Sequence, residues 1–190
     1  MVLDFYRLKE QPFGATPDPD YLYLSPTHNK ALASILYAIR NRRGFMSLVA
    51  SPGMGKTTLL LQLLKQLESF AFTAFLFQTI CEPEDLLRSL LDDLGIPSHG
   101  GNIAALQAEL HDLLRAEAQK GRSVVVVIDE AQNLSDSCLE VVRMLSNFET
   151  TRDKLLQIVL AGQPQLREQL SSPALLQLRQ RIADKGRFPA

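Results

Sequence analysis

Hydrophobic positions along the chain recur at two periods, and the switches between them define the elements. Leu32, Ile35, Leu36 and Ile39 return every three or four residues, as on one face of a helix. Ser25-Pro26 stands before them as a capping hydroxyl followed by proline at the first helical position. Arg40, Arg42 and Arg43 suit the negative end of that helix, and Gly44 ends it. Residues 45–50 are a short apolar run and predict a strand. A glycine-containing loop leads to a second helix with Leu59, Leu60, Leu63, Leu64 and Leu67 on one face. Residues 72–77, rich in aromatics, predict a second strand.

The next helix is predicted over 83–94. Proline and acids open it, Leu86, Leu87, Leu90, Leu91 and Leu94 form its stripe, and Gly95 closes it. Asn102 caps a helix running to Lys120, with Gly121 as the stop. Val124 to Ile128 are apolar and β-branched without a break, as a strand buried on both faces requires. A helix around 139–148 and a buried strand over 156–161 follow. Two short helices, about 164–171 and 173–184, close the chain. Residues 187–189 would begin one more strand, which is expected to be missing or incomplete. Strands alternating with helices predict an α/β fold with a parallel sheet. Residues 1–24, with Pro12, Pro17, Pro19 and five aromatics, read as an N-terminal arm packed on a core of residues 25–190.

Composition narrows the function. The chain has 190 residues, 46% hydrophobic, so it can bury a core without staples. Its 20 Lys and Arg against 21 Asp and Glu give no global basic field to drive it onto DNA or anionic lipid. Cys81 and Cys138 make neither a disulfide framework nor a zinc cluster, and read as buried free thiols of a reducing compartment. The first residues lack the basic and apolar regions of a signal peptide. Residues 69–81 are too short to cross a bilayer at ~20 residues. A soluble, cytoplasmic chain is expected.

The candidate chemistry starts at Ala50-Ser51-Pro52-Gly53-Met54-Gly55-Lys56-Thr57, between a strand and a helix. This is the P-loop spacing, with Ala50 where glycine is commonest. Gly53 and Gly55 allow the backbone to approach phosphates. The loop amides point inward and form an anion nest, and the helix beginning near Lys56 adds its N-terminal dipole. Lys56 supplies a mobile charge to the β- and γ-phosphates, and the Thr57 hydroxyl can ligate Mg²⁺. Ser51, Pro52, Gly53, Met54, Gly55, Lys56, Thr57 and Thr58 are thus the expected nucleotide contacts.

The apolar strand 124–128 ends in Asp129-Glu130. Carboxylates at the C-terminal edge of a parallel strand face the ligand crevice. Asp129 is expected to hold Mg²⁺ with Thr57, and Glu130 to activate water as general base. Strand-end solvation or a helix cap would explain the pair without chemistry, but the phosphate loop decides for the site. Gln163, after the strand 156–161, can sense the γ-phosphate or place the water, or can cap a helix. Gln78 or Thr79 can hold Glu130 off line. Arg179 and Arg181 can act as an arginine finger in a neighbouring subunit, or form a solvated basic face. His28 reads as a surface or capping histidine, with a place near the nucleotide as the alternative.

Phosphate loop, Asp-Glu strand, polar strand end and distal arginines, in this order, resemble an AAA+ ATPase core. More specifically, 5–13, 16–19 and 23–28 resemble the opening of the general secretion pathway protein A (ExeA/GspA) family. Residues 128–134, 145–150, 156–164 and 178–182 continue that resemblance over nearly the whole chain. The resemblance implies a sheet in the order 5-1-4-3-2, ATP and Mg²⁺ at a subunit edge, and a homo-oligomer. It also puts the 1–24 arm over adenine through Phe13, Tyr21 or Leu22, unless those aromatics are ordinary packing. Family members act with a membrane-bound secretion partner and attach to the inner membrane through segments that these 190 residues do not contain. The helical lid of AAA+ proteins is expected to be absent, and turnover to be weak for that reason.

Three functions follow. The first is an ATPase that oligomerises to drive secretion. The second is a DNA-dependent ATPase of the transposition-helper or initiator type, with Arg40, Arg42, Arg43 and the C-terminal arginines on a basic face; the balanced charge and the lack of a DNA-reading module count against nucleic acid. The third is a nucleotide-gated scaffold with negligible hydrolysis.

Overall fold

A computed structural model describes residues 5–7, 22–77, 79–97, 101–149 and 154–187, with 183–187 described by backbone alone. Its elements are α1 (Pro26–Arg40), β1 (Phe45–Val49), α2 (Lys56–Leu67), β2 (Ala71–Leu76), α3 (Pro83–Asp93), α4 (Ile103–Gln119) and β3 (Ser123–Ile128). After a 3₁₀ turn at Ala131–Asn133 come α5 (Asp136–Leu145), β4 (Leu156–Gly162) and α6 (Pro164–Leu170). A second 3₁₀ turn, Pro173–Leu175, leads into α7 (Leu176–Arg181) and β5 (Ile182–Arg187). The helix ends follow from local chemistry. Ser25, Asn102 and Ser135 each accept a backbone N–H of the first turn, and proline opens α1, α3 and α6.

The strands form one parallel sheet in the order β2-β3-β4-β1-β5, the expected 5-1-4-3-2 read from the other edge. Because strand side chains alternate, β3 serves two cores. Val124, Val126 and Ile128 pack with α3, α4 and α5, whereas Val125 and Val127 pack with α1 and α2. Neither face of the central strands meets water, which is why their sequence lacks polar alternation. The one buried polar side chain of β4, Gln157, is satisfied: its Oε1 accepts from the Gly44 amide at 2.8 Å and its Nε2 donates to the Lys154 carbonyl at 3.1 Å.

The fifth strand corrects the expectation of an incomplete sheet. The last helix stops at Arg181 rather than near 184, and β5 then pairs along the length of β1, from Phe45↔Ile182 to Val49↔Arg187. The residues after Ile182 are too polar to signal a strand, but an edge strand with a single neighbour tolerates them. Of the 1–24 segment, Leu22 and Leu24 pack against the α1–α2 core, while Phe5 and Tyr6 are exposed. Phe13 and Tyr21, offered above as adenine contacts, lie outside the described residues.

One buried charge is fully paired. Glu117 of α4 is 3% exposed, and it accepts from Lys120 at 2.8 Å and from Arg122 at 2.6 Å. Arg122 also lies over the Phe72 ring. The Lys120 hydrogen bond and then Arg122 outweigh burial and hold the Glu117 carboxyl below the usual range. A carboxyl whose folded pKa is lowered stabilises the fold above the ordinary glutamate value of about 4.3, and this contribution is lost as the pH falls through the lowered folded value. Glu117→Gln is therefore expected to reduce unfolding free energy by ~2 kcal/mol at neutral pH. The deficit should shrink in acid, and chemical denaturation at pH 7 and pH 3 checks both.

Candidate active site

Parallel pairing brings the C-terminal ends of β1, β4 and β3 side by side, with β4 in the middle. The loop 50–55 leaves β1, Gln163 leaves β4, and Asp129-Glu130 leave β3. The Ala50 amide donates to the Gly162 carbonyl at 3.1 Å, which ties the loop's first residue to the end of β4.

Residues 51–54 of the loop are exposed, and Gly53 and Gly55 have φ of 79° and 73°. Both are in the left-handed region that favours glycine, so the backbone turns back on itself and opens onto the start of α2. Met54 is 37% exposed and fits a loop position rather than a core one. Lys56, by contrast, is 6% exposed. A buried ammonium needs a counter-charge, and Glu130 Oε1 supplies it at 3.6 Å. Next to it, the Thr57 hydroxyl donates to Asp129 Oδ2 at 2.6 Å. Thr58, one residue on, is half-buried in the first turn of α2.

Glu130 has φ of 50°, an uncommon conformation for a residue with a side chain. Three contacts hold the backbone there. Its N–H donates to Asp129 Oδ1 at 2.8 Å, and its carbonyl accepts from Asn133 N at 2.9 Å and from Thr79 Oγ1 at 3.1 Å. Such strain costs on the order of 1–3 kcal/mol and is typical of sites where a side chain must be aimed. The carboxylate collects further partners: Gln132 Nε2 donates to Oε2 at 2.6 Å and Gln163 Nε2 donates to the same oxygen at 3.0 Å. Burial pushes the Glu130 carboxyl up, but the hydrogen bonds from Gln132 and Gln163 and the charge of Lys56 prevail and hold it below the usual range.

The structure thus brings Lys56, Thr57, Asp129, Glu130 and Gln163 together. Thr79, expected to hydrogen-bond Glu130, does so through the Glu130 backbone carbonyl. Gln78 lies outside the described residues. Gln132 was not anticipated; the available signal was an amide two residues from the acid in a turn too short to be core. His28 does more than cap. The Met54 carbonyl can only accept, so His28 Nε2 donates to it at 3.0 Å, and Nδ1 faces Ser25 Oγ at 2.6 Å. The first helix therefore braces the phosphate loop. Cys138 is buried as expected, but Cys81 is half-buried, and its thiol is pushed up to about 11 by burial and by Cys138 beside it.

The arginines are not part of this cluster. Arg179 is exposed, and Arg181 donates to Ser146 Oγ and, at 2.7 Å, to Asn147 Oδ1 at the C-terminal end of α5. Ile182, the next residue, pairs with Phe45 at the start of β1, whereas the phosphate loop follows Val49 at its end. At ~3.3 Å per residue, six residues separate the level of Arg181 from the start of its own loop at Ala50, roughly 20 Å along the sheet.

A parallel sheet with a phosphate loop after β1, an Asp-Glu pair after β3 and a polar residue after β4 defines a P-loop ATPase domain of the AAA+ class. The chain belongs to the family described as AAA domain, whose profile matches residues 39–170. It is 39% identical over 183 residues, 96% of its length, to General secretion pathway protein A of Aeromonas hydrophila. The chain spans about a third of that relative, 34% of its length. Among solved structures, it is similar to the ADP form of the Aeropyrum pernix ORC2 protein, with TM-score 0.67 and 14% identity, covering 92% of this chain and 50% of that one. It is also similar to Cdc6p from Pyrobaculum aerophilum, with TM-score 0.62 and 15% identity, covering 91% and 48%. These two likenesses are of fold.

Proposed function

We propose that the chain binds MgATP on the 50–57 loop and hydrolyses it, and that it does so in an assembly of its own copies that serves secretion. The observation that carries the reading is the single carboxylate, Glu130, placed between Lys56 on one oxygen and Gln132 and Gln163 on the other. Lys56 and the loop amides hold the β- and γ-phosphates, a role that fits an exposed loop closing on a buried ammonium. Glu130 takes a proton from water as the water oxygen attacks the γ-phosphorus; the bond from that phosphorus to the β,γ-bridging oxygen breaks and ADP leaves, while Gln163 contacts the γ-phosphate or the water.

The metal fits as well. Thr57 Oγ1 and Asp129 Oδ2 put a hydroxyl and a carboxylate at one point, and Asp129 is 2% exposed. Among the described residues no group of three or more His, Cys, Asp or Glu stands ready to hold a metal alone. Mg²⁺ ordinarily takes one or two protein oxygens together with substrate phosphates and water. When bound it would offset the charge of the phosphates; Thr57 and Asp129 would hold it.

Opposite placement of Arg181 and the phosphate loop supports completion of the site by a neighbour's Arg181 or Arg179. The secretion role, a membrane-bound partner and a place on the cytoplasmic side of the membrane rest on similarity to General secretion pathway protein A. Among the described residues no helix is long and apolar enough to cross a membrane.

The test mixes two inactive chains. Arg181→Ala and Glu130→Gln should each turn over poorly, and their mixture should recover part of the wild-type rate, because one mixed interface pairs an intact base with an intact arginine. Recovery from no mixture of base and arginine variants would refute action between copies. Duplex DNA in a parallel series separates the alternative: strong stimulation would favour the DNA-dependent reading.

A further inference from the structure

We propose that Gln132 is a positioning residue for Glu130, seated by the missing side chain of Gly162 and linking the base to Gln163. The inference deepens the hydrolytic reading and rests on it.

Both ends of the Gln132 carboxamide are used. Nε2 donates to Glu130 Oε2 at 2.6 Å, and Oε1 accepts from the Gln163 backbone N–H at 3.0 Å. Gln132 belongs to the Ala131–Asn133 turn after β3, and Gln163 follows β4, so one side chain bridges two adjacent strand ends. The bridge needs room. A Cβ at Gly162 would lie 2.7 Å from Gln132 Oε1, closer than such contacts occur, with Leu166 Cδ2 at 3.0 Å behind it. Gly162 is not in the left-handed φ region, so the space, rather than the backbone, is what glycine provides here.

The two amides on Glu130 Oε2 differ in what else they can do. Among the described residues Gln163 Nε2 donates to the base alone, and an incoming phosphate oxygen can compete for it. Gln132 is anchored at its far end to a backbone N–H, which does not leave. Gln163 is therefore the exchangeable partner and Gln132 the permanent one. With γ-phosphate bound, Lys56 and Gln163 can both turn to it, and Gln132 is the partner that stays on the carboxylate. Its loss should act on the chemical step and spare nucleotide affinity, because Gln132 does not touch the phosphate loop in these contacts.

Gln132→Ala is expected to lower kcat by roughly 10²-fold, the scale of a misplacement near 1 Å, with the Kd for ATP unchanged. Gly162→Ala should shift kcat in the same direction, and its effect should be small once Gln132 is already alanine. A readout without nucleotide runs beside it. The melting temperature should fall more for Gly162→Ala in the wild-type chain than in Gln132→Ala, since the clash with Oε1 is gone there while that with Leu166 remains. Additive melting shifts would overturn the seat, and a normal kcat in Gln132→Ala would overturn the positioning role. Wild-type turnover no greater than that of Lys56→Ala would remove the hydrolytic reading and this role with it, whatever the melting shifts.

Discussion

Replacing Glu130 with glutamine is expected to lower ATP turnover by roughly 10²–10⁴-fold, the usual contribution of a general base. Shape is nearly conserved, but the amide cannot take a proton from water. Affinity for MgATP should be kept or raised. In the free protein Lys56 is buried at 3.6 Å from Glu130 Oε1. Removing that charge leaves an ammonium whose best remaining partner is phosphate. The free Glu130→Gln chain should accordingly melt lower than wild type, and ATP should restore more of its stability. Single-turnover phosphate release and equilibrium binding check the two halves separately. Loss of binding together with turnover would mean that Glu130 holds the fold of the loop instead of serving the chemistry.

Lys56→Ala has the second large effect, and it is on binding. A hydrogen bond from a charged donor is worth about 1.5–3 kcal/mol, or roughly 10- to 100-fold in Kd. ATP should lose more than ADP, because the lysine reaches the γ-phosphate as well as the β-phosphate. Glu130 would lose its charged neighbour at the same time and keep Gln132 and Gln163. The variant should thus fold, show little thermal stabilisation by ATP, and serve as the blank for turnover. An unchanged ATP affinity in a folded Lys56→Ala chain would exclude the 50–57 loop as the phosphate site.

Both predictions rest on residues that could be read from the chain, and the reason is physical. A phosphate loop is contiguous, so its glycines, lysine and threonine carry the signal at fixed spacing. Asp129-Glu130 follow an apolar run that can only be a buried strand, and strand ends in a parallel sheet face one crevice. What contiguous pattern does not carry is a contact made across strands. Gln132 meets Gln163 because β3 and β4 are neighbours, and no local period marks a glutamine in a 3₁₀ turn. Thr79 was in view, but only the fold decides that it bonds the Glu130 backbone rather than the carboxylate. The sequence signals β5 only from 187, not from Ile182, because an edge strand can be polar and its residues carry no apolar run. Its register is what puts Arg181 at the opposite end of β1 from the phosphate loop, a relation that the order of residues alone does not contain.

The most direct test is phosphate release per chain from MgATP, measured over a range of chain concentrations with Lys56→Ala as the blank. The account predicts release above the blank that rises per chain as concentration increases, because each site is completed by a neighbour. Release indistinguishable from the blank at every concentration would contradict it.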